Sequence, residues 1–425
     1  MDDMITEVKA IQVLDSRGNP TLKVTVKTEK YSGSAMIPSG ASTGIYEALE
    51  LRDKGKSYHG KSVNKPVELV NKLISRKIRG MKVTEQEAID NALIKLDGTD
   101  NKTRLGANSM LGVSLAVSRA AAQVKGKELY EYIAELFGNK DPTVLPIPLS
   151  NVINGGEHAG NYLKIQEFML VPLGAKDFAQ AAQMVSETYH TLKKIIDEKY
   201  GRNAVNVGDE GGFAPPIRTG EEALDLITDA IARSGYKRKI RIGLDVAASA
   251  IYHDGQYDVG VNFSSGGLIS YYERLLNKYD IRFIEDGFDQ DDTKAWAEFM
   301  ATVAKRKKLQ VIADDLTVSN ATRVEMAIRE KLANALLLKV NQIGTLTEAL
   351  KAARTAMDAG WQIVVSHRSG ETEDPYIADL AVGIGASQIK LGAPARSERT
   401  AKYNRLIEIE SDLKKSSYAG KKLKL

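Results

Sequence analysis

The residues best suited to chemistry in this chain stand where short apolar runs end. Asp245 closes RIGLD, Glu285 and Asp286 close IRFIED, Asp314 and Asp315 close QVIADD, Lys339 closes ALLLK, and His367 and Arg368 close QIVVSHR. Glu167 lies near the start of QEFMLV, and Lys390 within SQIKLG. Any single one of these could merely mark where a buried strand ends. That reading fails for the set, because the opposite ends of the runs carry nothing comparable, and carboxylates converging without a cation would repel one another. Asp245, Glu285 and Asp314, on three successive runs, offer hard oxygen ligands suited to Mg²⁺ that keeps several waters and takes a substrate oxygen. Ca²⁺ and Zn²⁺ are the alternatives, and Zn²⁺ is the poorer match in a chain with no Cys and five scattered His. Lys339, among apolar residues and facing cations, has desolvation and like charge favouring its neutral form, the state a general base needs. The competing reading is a lysine that only pairs with one of the carboxylates. Arg368 and Lys390 suit a phosphate or carboxylate. Electrophilic metal, basic lysine and anion clamps together specify proton abstraction beside a carboxylate.

The elements that must carry these groups are legible in the spacing. IPLSNVIN, QEFMLV, RIGLDV, IRFIED, QVIADD, ALLLKV, QIVVSH and SQIKLG are short apolar runs, separated mostly by helical patterns. This is the signature of a (β/α)₈ barrel, whose C-terminal strand ends share one mouth. The first two runs have no helix between them and read as a strand pair opening the barrel. Two consecutive helices then flank VNVGDEGGFAPP, a loop by its Gly and Pro content. Ahead of the barrel, AIQVLDSRGNPTLKVTVKTEKYSGSAMI alternates at period two around an RGNP turn, and a helical pattern follows from about Val67 to Phe137. Within it, Asn108 to Val124 is rich in small residues and reads as a buried helix. The Pro-rich GNKDPTVLPIP marks the boundary, so the expectation is an α+β capping domain over 1–138 and an α/β barrel over 144–425.

Composition narrows the class. Apolar residues make up 43% and charged residues 27% of the 425, as in globular proteins rather than disordered ones. The net charge of +4 is spread along the chain, with no concentrated basic face to suggest a nucleic-acid partner. Without Cys there are no disulfides or thiolate metal sites. MDDMITEVKA lacks the charge and apolar stretch of a signal peptide, and no apolar run approaches the roughly 20 residues that span a bilayer. The expectation is a cytoplasmic protein without membrane insertion. The basic tail from Lys414, KKSSYAGKKLKL, reads as a solvated, partly frayed end.

Beyond these patterns, the chain resembles the enolase family over essentially its whole length. The strings that carry the resemblance are DSRGNPT from Asp15, PSGASTG from Pro38, NVINGG from Asn151, QEFM from Gln166, GDEGGFAP from Gly208, DDLTV from Asp314, LLLKVNQIGT from Leu336, SHRSGET from Ser366 and GAPARSER from Gly392. The resemblance implies a ββαα(βα)₆ barrel under an N-terminal capping domain and Mg²⁺-dependent interconversion of 2-phosphoglycerate and phosphoenolpyruvate. It implies Asp245, Glu285 and Asp314 as ligands of one Mg²⁺, and Ser42, on a loop that closes over substrate, as a ligand of a second ion recruited with it. Lys339 would remove the C2 proton and Glu210 would protonate the departing C3 hydroxyl. His158, Gln166, Glu167 and His367 would line the substrate site, and Arg368, Ser369 and Lys390 would hold its phosphate and carboxylate. A homodimer or octamer is implied too, and in some relatives a secondary presence at the cell surface, where C-terminal lysines bind plasminogen. Gly287 and Asn320-Ala321 depart from the usual Pro at two loop positions, and neither change removes a functional side chain. Two other classes compete: a relative abstracting a proton beside a different carboxylate, against which the GDEGG loop argues, and a non-catalytic scaffold, against which the full set of side chains argues.

Overall fold

A computed structural model describes residues 2–41 and 44–421. The chain begins as an antiparallel sheet of β1 (Glu7–Leu14), β2 (Pro20–Lys27) and β3 (Ser32–Met36), in that order. The turn between β1 and β2 is held by Asp15, whose Oδ1 accepts from the backbone N–H of Arg17 and of Asn19, both at 2.9 Å. Helices α1 (Ala107–Val124) and α2 (Leu129–Phe137) follow. Nearly every residue of α1 is buried, which its Ala, Gly and Ser content allows, because small side chains let the sheet approach closely on one side and other helices on the rest.

Beyond a crossing through residues 138–146, the described residues form a closed eight-stranded barrel. Its strands are β4 (Ile147–Asn154), β5 (Glu167–Val171), β6 (Arg241–Asp245), β7 (Ile281–Glu285), β8 (Gln310–Ala313), β9 (Ala335–Leu338), β10 (Gln362–Ser366) and β11 (Gln388–Lys390). Helices α3 (Phe178–Tyr200) and α4 (Gly220–Arg233) come in succession after β5. The later strands alternate with α5 (Ser265–Lys278), α6 (Thr293–Phe299), α7 (Ala321–Glu330), α8 (Leu346–Asp358), α9 (Tyr376–Ile384) and α10 (Ser397–Asp412). The order is therefore ββαα(βα)₆, as the spacing predicts. Strands buried on both faces read as continuous apolar runs, and β4, β8, β9 and β11 have no exposed residue. At Gly243 of β6 even a methyl group would meet the Phe283 ring at 2.0 Å, so that ring fills the barrel interior only because position 243 has no side chain.

The strand pair opening the barrel has a consequence for the mouth. β5 runs antiparallel to both β4 and β6, whereas the other barrel neighbours are parallel. It therefore reaches the mouth with its first residue, Glu167, which stands opposite Asp245 of β6 and Asn154 of β4.

The N-terminal unit sits against that mouth. Ser39 and Gly370 exchange backbone hydrogen bonds of 2.7 and 2.8 Å, Ser16 N–H donates to the Glu371 carbonyl at 2.7 Å, and Arg119 of α1 pairs with Asp374. Asn320, at the second departure from the family pattern, caps α7, its side chain accepting from the N–H of Thr322 and Arg323. The expectation of a frayed tail from Lys414 is overturned for part of it. Ser417–Tyr418 pairs in parallel with Val144–Leu145, and the Tyr418 ring is buried with its hydroxyl donating to the Pro172 carbonyl at 2.9 Å. A buried tyrosine outweighs the charge of the lysines around it; the last four residues, Lys422 to Leu425, lie outside the described ones. No helix among the described residues is long and apolar enough to cross a membrane.

Candidate active site

One pocket at the barrel mouth gathers His158, Gln166, Glu167, Glu210, Asp245, Asp314, Lys339, His367, Arg368, Ser369 and Lys390. Glu285, at the end of β7, joins them through Lys390. Every residue that the sequence reading places in the site is there except Ser42, which lies outside the described residues.

Lys390, the last residue of β11, organises the centre. Its Nζ contacts Asp245 Oδ2 and Glu285 Oε1 at 2.8 Å and Glu167 Oε1 at 3.0 Å, all four side chains almost fully buried. Burial opposes its charge, but the three carboxylates hold the ammonium well above the ordinary lysine range. One cation does not balance three anions. Asp245 is held low, burial notwithstanding, by Lys390, whereas Glu285 and Glu167 are pushed well up, by burial first and then by Asp245 and Glu210 respectively.

A second cluster surrounds Asp314. Its Oδ2 pairs with Lys339 Nζ, and its Oδ1 accepts from Gln342 Nε2 at 2.7 Å. The sequence reading expects a neutral lysine. Here burial does push Lys339 down, but Asp314 beside it outweighs that and raises it above the ordinary range, so the ammonium is the state this arrangement holds. Asp286, at φ +42°, accepts at 2.8 Å from the backbone N–H of both Asp314 and Asp315 and so shapes the turn after β8. Arg368 is expected to clamp a substrate anion. In this structure it clamps Glu47, with Nη1 to Oε2 at 3.0 Å and Nη2 to Oε1 at 3.1 Å, and also meets Asn341 Oδ1 at 3.0 Å. Ser369 Oγ accepts from the Ala41 N–H at 2.7 Å, tying the loop before the undescribed residues to the same edge.

The third group centres on Glu210, in the loop between α3 and α4. Asn151 Nδ2 donates to its Oε2 at 3.0 Å; His367 Nε2 stands 3.3 Å and His158 Nδ1 3.7 Å from its Oε1. Burial opposes ionisation, yet His367 and His158 hold Glu210 well below the usual carboxylate range. His158 Nδ1 is also 3.5 Å from Glu167 Oε1, so it lies between a carboxylate held low and one held high. Burial keeps both histidines below their ordinary value, His367 at about 4.

The donor set fits a hard divalent cation. Glu285 Oε2 and Glu167 Oε2 are buried with no hydrogen-bond partner among the described residues, and a carboxylate oxygen so placed costs free energy unless something positive meets it. Asp245, Glu285 and Asp314 reach the mouth from adjacent strands, as expected, although Lys390 bridges the first two and Lys339 engages the third. Oxygens of Asp286, Asp314 and Asp315 are already close enough together for one ion. Burial and then Asp314 raise Asp315 from 3.8 to about 7, so between those values it carries a proton in the folded protein that it would lack when unfolded. A cation bound beside it would favour its ionised form. Mg²⁺ affinity is therefore expected to fall as pH drops below 7, with proton release on binding. Titration calorimetry in buffers of different ionisation enthalpy, just below neutral pH, would contradict this if the heats coincided.

Several participants were invisible as such in the sequence. Glu47, Gln342, Asn151 and Arg399 fall within or beside the motif strings, but their types and spacing carry no signal of metal or acid–base chemistry. Only the fold shows that each touches a group that does.

The comparisons with known proteins agree with this fold. Residues 5–133 match the family profile described as the enolase N-terminal domain, and residues 142–425 the one described as the enolase C-terminal TIM barrel domain. Relatives named enolase include one from Thermococcus gammatolerans, 55% identical over 427 residues, and one from Thermococcus kodakarensis, also 55% identical over 427. Another, from Mastigamoeba balamuthi, is 52% identical over 434 residues. Each alignment covers 99% of this chain and 98% of the relative.

Proposed function

The chain belongs to the enolase family, and from that premise we propose that it catalyses the reversible, Mg²⁺-dependent dehydration of 2-phosphoglycerate to phosphoenolpyruvate. Membership makes it a hydro-lyase of the phosphopyruvate hydratase class. The observation that carries the specific reaction is the division of the pocket: Lys339 stands with Asp314 on one flank, Glu210 with Asn151 and His367 on the other, and Lys390 lies among carboxylates in the barrel centre.

The proton on C2 of the substrate is weakly acidic, because removing it leaves a second negative charge on the neighbouring carboxylate. Lys339 takes that proton through Nζ. Asp245, Glu285 and Asp314 would hold one Mg²⁺, and Ser42 a second recruited with substrate; bound there, these ions supply Lewis-acid stabilisation of the charge building on the carboxylate, a contribution of several kcal/mol. With its charge committed to a metal, Asp314 would no longer keep Lys339 protonated, and the lysine would be competent as a base. Lys390 adds a fixed positive charge on the same side of the substrate. Arg368 and Ser369 bind the phosphate, with Glu47 giving way on the guanidinium. His158, Gln166 and His367 line the remaining wall.

Glu210 gives its proton to the C3 hydroxyl, which departs as water as the C2–C3 double bond forms. The site holds Glu210 well below the usual carboxylate range and Glu167, across His158, well above it. Glu210 in its ionised form activates water for the reverse addition, and in its protonated form serves the dehydration.

The direct test follows the absorbance of phosphoenolpyruvate from 2-phosphoglycerate. Absorbance is expected to rise with Mg²⁺ present and to stop on chelation. No turnover by folded, Mg²⁺-supplied protein would refute the assignment.

A further inference from the structure

Arg399, in the first turn of α10, is fully buried, and none of the roles above uses it. Its Nη1 lies 2.7 Å from His367 Nδ1 and donates to the Arg368 carbonyl at 2.6 Å; its Nη2 donates to the Asp209 carbonyl at 3.0 Å and the Ser369 carbonyl at 2.6 Å. One guanidinium thus ties the segment after β10 to the loop that carries Glu210. A guanidinium has five donors, no acceptor, and keeps its protons. The contact with Nδ1 can therefore run in one direction only, with Arg399 donating and Nδ1 offering its lone pair. An imidazole whose Nδ1 accepts carries its single proton on Nε2. That nitrogen lies 3.3 Å from Glu210 Oε1.

We infer that Arg399 is a positioning residue that selects the Nε2–H tautomer of His367 and keeps that nitrogen beside Glu210 Oε1, while its bond to the Asp209 carbonyl holds the Glu210 loop in register with the ring. The packing leaves the ring little choice: at Gly392, which has φ +79°, a methyl group would meet Arg399 Cδ at 3.0 Å and His367 Cε1 at 3.2 Å, so both side chains lie directly on that backbone. Without the Arg399 donor, Nδ1 is free to take the proton, and Nε2 would then present a lone pair to a carboxylate.

The inference rests on the catalytic role proposed for Glu210, but its test reads the ring itself. Full-length protein labelled with ¹⁵N-histidine and free of substrate is studied by long-range ¹H–¹⁵N correlation NMR, with His367→Gln identifying the signals among five histidines. The wild type is expected to show the Nε2–H pattern. Arg399→Met is expected to lose it and to lower kcat about 10- to 100-fold with little change in KM, as for other partners that fix a histidine tautomer. Arg399→Lys, which keeps one donor for Nδ1, should retain the pattern and recover part of kcat. An Nδ1–H ring in the wild type would overturn the inference, as would a folded Arg399→Met that retains the Nε2–H pattern. Should Arg399→Met not fold, the wild-type spectrum still decides, since an Nδ1–H ring cannot accept from Arg399. A wild type that shows the Nε2–H pattern but turns over no 2-phosphoglycerate would count against the proposed reaction and not against the tautomer.

Discussion

Replacing Lys339 by alanine is expected to abolish exchange of the C2 proton of 2-phosphoglycerate with solvent while substrate still binds. The side chain follows β9, buried and paired with Asp314, while the Lys339 backbone N–H donates to Ser319 Oγ at 2.8 Å, so the strand end has an anchor that does not use the amine. What the variant loses is the amine that stands with Asp314 on that flank of the pocket; Lys390 is committed to three carboxylates. General-base catalysis contributes about 10²- to 10⁴-fold, and turnover should fall by at least that much. Solvent-exchange NMR on isotopically labelled substrate measures the step directly. Exchange that persists at the wild-type rate would remove Lys339 from the mechanism. Freed of its ammonium, Asp314 is expected to hold Mg²⁺ at least as tightly as before, which separates loss of the base from loss of the metal.

The second large effect is expected from Glu210→Gln, which keeps the size and the Asn151 contact of the side chain but cannot move a proton. C2 exchange should survive, because Lys339 and its flank are untouched, whereas release of the C3 hydroxyl should drop by about 10²- to 10⁴-fold. The two rates measured on one sample give the answer. Equal loss of both would show that Glu210 supports the whole site rather than the departing hydroxyl, and wild-type dehydration would assign the acid to another group, with Glu167 the next to test. The two variants together separate the steps of one reaction, which neither does alone.

How far such residues can be found without coordinates depends on what kind of information marks them. Asp245, Glu285, Asp314 and Lys339 were visible because each ends a buried strand, and a buried strand announces itself as an unbroken apolar run whose first charged residue stands out. The convergence of those residues follows from the repeat of strand and helix alone, since parallel strands in a barrel share one mouth. Glu167 fits that logic less directly: it opens its strand, and it reaches the mouth only because β5 is reversed. The missing helix between the first two runs marks a strand pair; its antiparallel sense is what the structure adds.

Charge state was not. A lysine among apolar residues reads as neutral until its partner is known, and the partner, Asp314, lies 25 residues away along the chain. Glu47 on Arg368 spans 321 residues and Arg399 on His367 spans 32. Nothing in the local pattern of either partner specifies such a pair.

Local chemistry therefore settled the strands, their order, the residues at their ends and the class of ion those residues suit, because hydrophobic periodicity and side-chain type are properties of neighbouring positions. Folding settled which charges meet: that Lys390 sits among Asp245, Glu285 and Glu167, that Asp314 keeps Lys339 protonated, and that Arg399 orients His367 toward Glu210. Protonation and orientation depend on distances of a few ångströms between segments far apart in sequence, and those distances exist only once the barrel has closed.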